Sequence, residues 1–296
     1  MELRMKDTEV TFPAGEVVGT GVIQALVPLP DGSSIGVVVD TTPFHPVDHT
    51  WPDQPADAGT LAGIPVVDCV VAALSPDGQV LFGSAIPVRR GDDDWRWLVA
   101  HVLPADRATA LSVADSVDLE VDADRRGRLS RGHSACHLAA LALNQVTAPY
   151  WTKDVGRRDD RGFPDLDSIA ITVSRIGPDS AYDEYKLGKS VRKRGLGSAD
   201  LLADLPALAD AANSLLAQWT SAGGRCRIDT GGDLRLTARR TWTAQLPEGP
   251  AAIPCGGTHV SDLAELGMVT VVYTPTEAGF AVETSVDVTR GQALGT

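Results

Sequence analysis

The sequence predicts an α+β fold in two parts, and three observations carry that prediction. Short apolar runs separated by turn-forming pairs fill roughly the first 120 residues. A long helical pattern starts directly after Val121. Strand and helix patterns then follow one another toward the carboxy-terminus. A chain of 296 residues suits two medium domains, here 1–121 and 122–296.

The β-rich part rests on apolar runs at 21–27, 35–39, 66–74, 80–86 and 97–103. Asp31-Gly32 and Asp77-Gly78 are turn signals between them. Many short strands with such punctuation predict a small barrel or a compact sandwich. In the second part, VDADRRGRLSRGHSACHLAALALNQV reads as a helix. Ser130 is the expected N-cap, and His137, Leu138, Leu141 and Val146 give one face. A further helix is predicted over 199–219, broken or restarted at Pro206, with strands at 168–173, 269–273 and 280–286. The charged stretch 154–165, with Gly156 and Gly162, reads as a loop.

Composition narrows the function classes. No run of 18 apolar residues occurs, so no membrane-spanning helix is expected. MELRMKDTEVTF lacks the apolar core of a signal peptide, which makes a cytoplasmic location the expectation. The four cysteines are too sparse for a disulfide framework, and Cys69 and Cys226 read as core thiols. A net charge of −13 argues against a broad nucleic-acid surface. One basic stripe stands against that background: Lys186, Lys189, Arg192, Lys193 and Arg194. It is a candidate RNA contact, or else a solvated loop.

The strongest chemical signal is GHSACH, residues 132–137. On a helix, His133 and His137 share one face, so two imidazoles can converge on one zinc. The second signal is CGGTH, residues 255–259, where Cys255 and His259 flank a glycine turn. A thiolate and an imidazole form a zinc-compatible pair. Together the two pairs use three of the six histidines. Other chemistries fit less well. A zincin protease needs Glu where Ser134 stands. A zinc deaminase needs His-x-Glu and Cys-x-x-Cys, and neither occurs. GSSIG at 32–36 matches a serine-hydrolase elbow by letter, but a turn leads it into a strand-like run, so it reads as a hairpin.

His-x-x-x-His followed by Cys-Gly-Gly-Thr-His-Val resembles the signature of the AlaX-like trans-editing proteins, relatives of the editing domains of alanyl- and threonyl-tRNA synthetases. FHP at 44–46, QPADAGTL at 54–61 and the acidic-basic lead into the helix agree with it. The resemblance spans about 42–271. It implies a β-barrel-like N-terminal domain followed by an α+β zinc-containing editing domain. It also implies Zn2+ held by His133, His137, Cys255 and His259, and the 3′-end of an aminoacyl-tRNA as partner, with no membrane. The implied reaction is hydrolysis of the ester linking a wrongly attached amino acid to tRNA. Four protein ligands form a closed, structural-looking set, so a purely structural zinc is the competing reading.

The pocket candidates are His45, His49, Trp51 and Gln54, although the two histidines, in a loop around Pro46, read equally as solvated loop residues. Family members carry a glycine-rich stretch before the residue matched by Gln54, whereas this chain has VDHTWPD at 47–53. The usual cargo would be serine or glycine on alanine tRNA. The altered loop predicts a threonine-like cargo, for example 4-fluorothreonine. His101, in WLVAHVL, reads as a satisfied core histidine. Asp122 and Arg125 read as anchors of the zinc helix. Trp51, Tyr150 and Trp151 are candidates for stacking on the terminal adenine or for core or interface packing. A second function class stays open: a zinc-containing tRNA or amino-acid binding protein without hydrolysis.

Overall fold

The computed structural model describes residues 5–291. Residues 1–4, part of the stretch read for a signal peptide, lie outside them. Two compact units are present. The first holds residues up to Arg126 together with Thr230–Arg240 and Gly256–Thr258. The second holds Gly127–Asp229, Thr241–Cys255 and the residues from His259 onward. Mixed α+β architecture is as predicted.

In the first unit, β1 (Glu9–Val10) pairs in parallel with β4 (Thr41–Thr42). The main sheet has eight strands: β2 (Val18–Pro28), β3 (Ser34–Val39), β5 (Gly59–Leu61), β6 (Ile64–Val66), β7 (Asp68–Leu74), β8 (Val80–Phe82), β9 (Arg96–Pro104) and β10 (Ser116–Val121). Their spatial order is β6-β5-β10-β2-β3-β9-β7-β8, antiparallel throughout. β6 and β7 are joined by Val67 alone, yet they stand near opposite ends of that order. The sheet therefore curls, and the Val67 amide donates to the Val102 carbonyl across the junction at 2.9 Å.

Period-two patterning drives this sheet. In β10, Val117, Leu119 and Val121 are buried, while Ser116, Asp118 and Glu120 face solvent. Val37, Val39, Phe44, Leu61, Val71 and Val99 share the core. GSSIG is the β2–β3 hairpin turn: Asp31 Oδ1 accepts from Ser33 N and Ser34 N, each at 2.9 Å. His101 is fully buried, as expected. Its Nδ1 donates to the Val37 carbonyl at 3.1 Å, so Nε2 accepts from the Thr42 hydroxyl at 2.9 Å. Burial lowers its pKa to about 4, which keeps the ring neutral.

The boundary between units falls within α1 (Ala123–Thr147). The helix starts a full two turns before the expected cap Ser130. Asp122 is the cap instead, its Oδ1 accepting from Arg125 N at 3.0 Å. Arg125 also reaches the Ala56 carbonyl at 3.4 Å, in keeping with an anchoring role.

The second unit holds α2 (Leu166–Ala170), α3 (Lys189–Lys193), α4 (Ser198–Ala203), α5 (Leu205–Ala222) and α6 (Val288–Gly291). One antiparallel sheet has the order β11 (Ile171–Gly177), β12 (Ser180–Lys186), β17 (Gly279–Asp287), β16 (Met268–Pro275). A second has β13 (Cys226–Asp229), β14 (Thr241–Leu246) and β15 (Gly249–Pro254). The strand expected at 168–173 begins as a helix, because Asp165 caps α2 by accepting from Ser168 N. The chain extends only from Ile171. The helix expected at 199–219 is divided as Pro206 suggested, into α4 and α5. On α5, the Asn213 carboxamide donates to the Val271 carbonyl at 3.0 Å and accepts its amide at 2.7 Å. One side chain thereby satisfies both peptide groups of Val271 on the edge strand β16. Cys69, Cys136 and Cys226 are buried and Cys255 is half-buried, and no disulfide joins them.

Candidate functional site

α1 is buried on nearly every side from Leu129 to Asn144. A helix surrounded in this way must be met closely by its neighbours. Gly132 allows that: a Cβ there would lie 2.4 Å from the Gly177 carbonyl oxygen and 2.5 Å from that of Ser180. The glycine of GHSACH is thus a packing residue that seats the β11–β12 hairpin beside the first histidine. Asp179, in the turn of that hairpin, is gripped by Arg128 and Arg131, each at 2.6 Å.

His133 and His137 then project from one helix face, and Cys255 and His259 arrive from the segment after β15. One donor atom from each of these four residues lies within 4.8 Å of the others. Cys255 Sγ is 3.4 Å from His133 Nε2 and 3.2 Å from His259 Nε2. Around a tetrahedral zinc, neighbouring nitrogen and sulfur donors stand about 3.3–3.8 Å apart, given bonds of about 2.0–2.3 Å. The imidazoles cluster to match, with ring centroids 4.3–4.9 Å apart.

A further sign favours a metal. His137 Nε2 is buried and has no hydrogen-bond partner among the described residues. A buried ring nitrogen without a hydrogen-bond partner is costly, and a bound metal ion offsets that cost. Burial, and next the charge of His133, push the His137 pKa well below its ordinary value. That favours the neutral imidazole a metal requires. Trp242, fully buried on β14, backs the group at 5.0 Å from the His137 ring and 5.6 Å from that of His259.

Beside these ligands in the chain runs a cavity of about 500 Å³. Ala140, Leu141 and Asn144 of α1 line it, as do Ile253 and Pro254 just before Cys255. Asn144 donates to Asp159 at 3.2 Å and Asp165 at 3.3 Å, and its Oδ1 accepts the Asp167 amide at 3.0 Å. It thereby pins the loop read at 154–165. Burial, opposed by the Tyr185 hydrogen bond and reinforced by Asp183 and Asp165, raises the Asp167 pKa to about 7. Sequence reading missed this cluster, because Asn144 is one polar letter in an apolar helix run.

The pocket candidates belong to the first unit. His45 is buried edge-on against Phe12, with centroids 4.9 Å apart, and its amide donates to Asp57 at 2.6 Å. Asp57 also forms a buried bidentate ion pair with Arg126. That guanidinium donates in addition to the Pro43 carbonyl at 2.8 Å. Asp48 pairs with Arg90, His49 Nδ1 is buried without a partner among the described residues, and Trp51 is 44% exposed. Gln54 is 1% exposed. Its Nε2 donates to Thr258 Oγ1 at 2.8 Å, and its Oε1 accepts the Thr258 amide at 3.1 Å. The Gln of QPADAG thus clasps the Thr of CGGTH.

The basic stripe is exposed at all five positions, with Lys186 ending β12 and the others on or beside α3. Val191 is the buried residue that holds α3 down. Tyr150 and Trp151 pack against the core of their unit, and the Tyr150 hydroxyl donates to Asp204 at 2.7 Å. Among the described residues, no helix is long and apolar enough to cross a membrane.

Fold and site together define a mixed α+β protein with a three-histidine, one-cysteine group able to hold a metal ion. No family model matches the chain. It is similar to the alanyl-tRNA editing protein AlaX-M of Pyrococcus horikoshii, with 26% identity over 233 residues, 79% of this chain and 77% of that protein. A stretch of 176 residues, 58% of the chain, is 26% identical to the alanine–tRNA ligase of Caulobacter vibrioides and covers 18% of that enzyme. Both similarities support the AlaX-like relationship that the motifs imply.

Proposed function

We propose that this chain is a zinc-dependent aminoacyl-tRNA deacylase that acts in the cytoplasm on tRNA carrying the wrong amino acid. The observation that carries the reading is the convergence of two motifs more than a hundred residues apart on one donor group, in a chain similar to an alanyl-tRNA editing protein. The reaction is hydrolysis of the ester at the terminal ribose. Water adds its oxygen to the acyl carbon, the bond to the ribose oxygen breaks, and that oxygen leaves with a proton. Free amino acid and tRNA result.

His133, His137, Cys255 and His259 would hold the zinc. When bound, the ion would supply carbonyl polarisation, water activation or a hold on the substrate amine. The remaining roles fall to side chains. Lys186, Lys189, Arg192, Lys193 and Arg194 are proposed to meet the phosphate backbone. The loop from His45 through His49 and Trp51 to Gln54 is proposed to select the amino acid. We further read the curled sheet as a barrel-like N-terminal domain, 1–121, preceding an editing domain, 122–296.

The cargo we favour is threonine-like, 4-fluorothreonine being one such amino acid. Asp48, His49 and Trp51 support this choice, since they bring bulk and polarity to a loop that is glycine-rich in the family. A strict preference needs a polar contact or a clash, because one methyl or fluorine in an apolar pocket is discriminated by only about 1–3 kcal/mol.

The test is a panel of mischarged tRNAs incubated with the protein, with release of threonine, 4-fluorothreonine, serine, glycine and alanine scored. Faster release of the threonine-like acyl group than of serine from alanine tRNA is expected. Equal or faster serine release returns the protein to ordinary alanine-tRNA proofreading. No release from any tRNA, with binding retained, makes it a binding protein. In parallel, reversing charges at Lys189, Arg192 and Lys193 should weaken tRNA binding at low salt, with the difference shrinking as salt rises. Unchanged binding would remove the stripe from the interface.

A further inference from the structure

Ser134 occupies the position that a general-base glutamate takes in a zincin helix, and it has no carboxylate to offer. It is fully buried on α1. Its Oγ lies 3.1 Å from His259 Nδ1 and accepts the Val260 amide at 3.1 Å. One hydroxyl therefore touches two consecutive residues of the segment that follows the glycine turn.

The direction of the first contact follows from the other end of the ring. His259 Nε2 is the nitrogen that faces Cys255 Sγ, so Nε2 belongs to the donor group. A neutral imidazole whose Nε2 offers a lone pair carries its proton on Nδ1. Nδ1–H then donates to Ser134 Oγ, whose two lone pairs accept from Nδ1 and from the Val260 amide. The reverse arrangement, with the hydroxyl donating to Nδ1, would place the ring proton on Nε2 and withdraw it from the group. The buried oxygen thus fixes both the plane and the tautomer of His259.

We propose that Ser134 is a positioning residue for the metal group: it presents His259 Nε2 and so sets the affinity of the site. The inference rests on the metal reading of the quartet. Outer partners that orient a ligating histidine are worth about 10–100-fold in metal affinity. Ser134→Ala deletes the acceptor of both contacts, whereas Ser134→Thr keeps the hydroxyl.

The experiment titrates wild type, S134A and S134T with Co2+ and with Zn2+ against a competing chelator. The cobalt ligand-field spectrum and the melting temperature of each metal-free protein are recorded. The expected result is a loss of affinity of about 10–100-fold in S134A, with a shifted cobalt spectrum, and recovery of both in S134T. S134A matching wild type in affinity and spectrum overturns the assignment of Ser134 alone. Wild type that takes up neither ion overturns the metal reading as well. If S134A does not fold, nitrogen NMR of the zinc-loaded wild type decides: a proton on His259 Nδ1 is expected, and metal at Nδ1 overturns the proposal.

Discussion

His133 and His137 stand four residues apart on a helix, while His45 and His49 stand four apart in a loop. Among the described residues, only the first pair joins a group of side chains that could hold a metal. In α1 the spacing itself aims both rings at one point, and Gly132 lets the β11–β12 hairpin close over the helix beside them. In the loop the spacing means nothing. His45 is turned against Phe12, its amide is held by Asp57, and His49 lies beside Gly83. The chemistry of a short motif depends on the backbone that carries it, and a regular backbone is what makes spacing informative.

The sharpest way to break this contrast is to remove a ligand. His137→Ala or Cys255→Ala should abolish metal-dependent activity. It should also remove the metal-linked rise in stability, about 4 kcal/mol when free metal is a thousand times Kd. Melting curves with and without added zinc read this directly, and His49→Ala should leave the zinc-induced rise intact. A zinc response lost in H49A but kept in H137A would reverse the comparison.

The next effect lies under the loop. Asp57→Ala strands Arg126 as an unpaired buried cation, which should cost about 3–5 kcal/mol in denaturant unfolding. Asp57→Asn keeps the shape and loses the charge, so it should fall between the two. Gln54→Ala comes third: the buried amide and hydroxyl of Thr258 each lose a partner, for about 1–3 kcal/mol. Asp48→Asn comes last, since its pair with Arg90 is partly exposed and worth about 0–1 kcal/mol. A large loss in D48N with little in D57A would mean that the loop is held from outside rather than from beneath.

This ranking also marks what could be read from letters. The quartet was legible because helix periodicity and a glycine turn are local rules that act within five residues. The curled sheet was legible as short strands with Asp-Gly turns, but its strand order was not, since β6 and β7 follow one another in the chain and not in the sheet. Asp57 and Arg126 pair across 69 positions, and Gln54 and Thr258 across 204. No spacing rule connects such residues. The start of α1 was misplaced because Ser130 and Asp122 are both competent caps, and the choice fell to the chain entering from β10. Ser134 was noted only for the glutamate it replaces. Its bond to His259 spans a separation of 125 positions in the chain.

The central claim is that two distant pairs make one metal site. It is tested most directly by elemental analysis of the purified protein after exhaustive dialysis, beside the C255A variant. About one zinc per wild-type chain and little in the variant is the predicted result. Wild-type protein free of any transition metal, or equal zinc in both proteins, would contradict it.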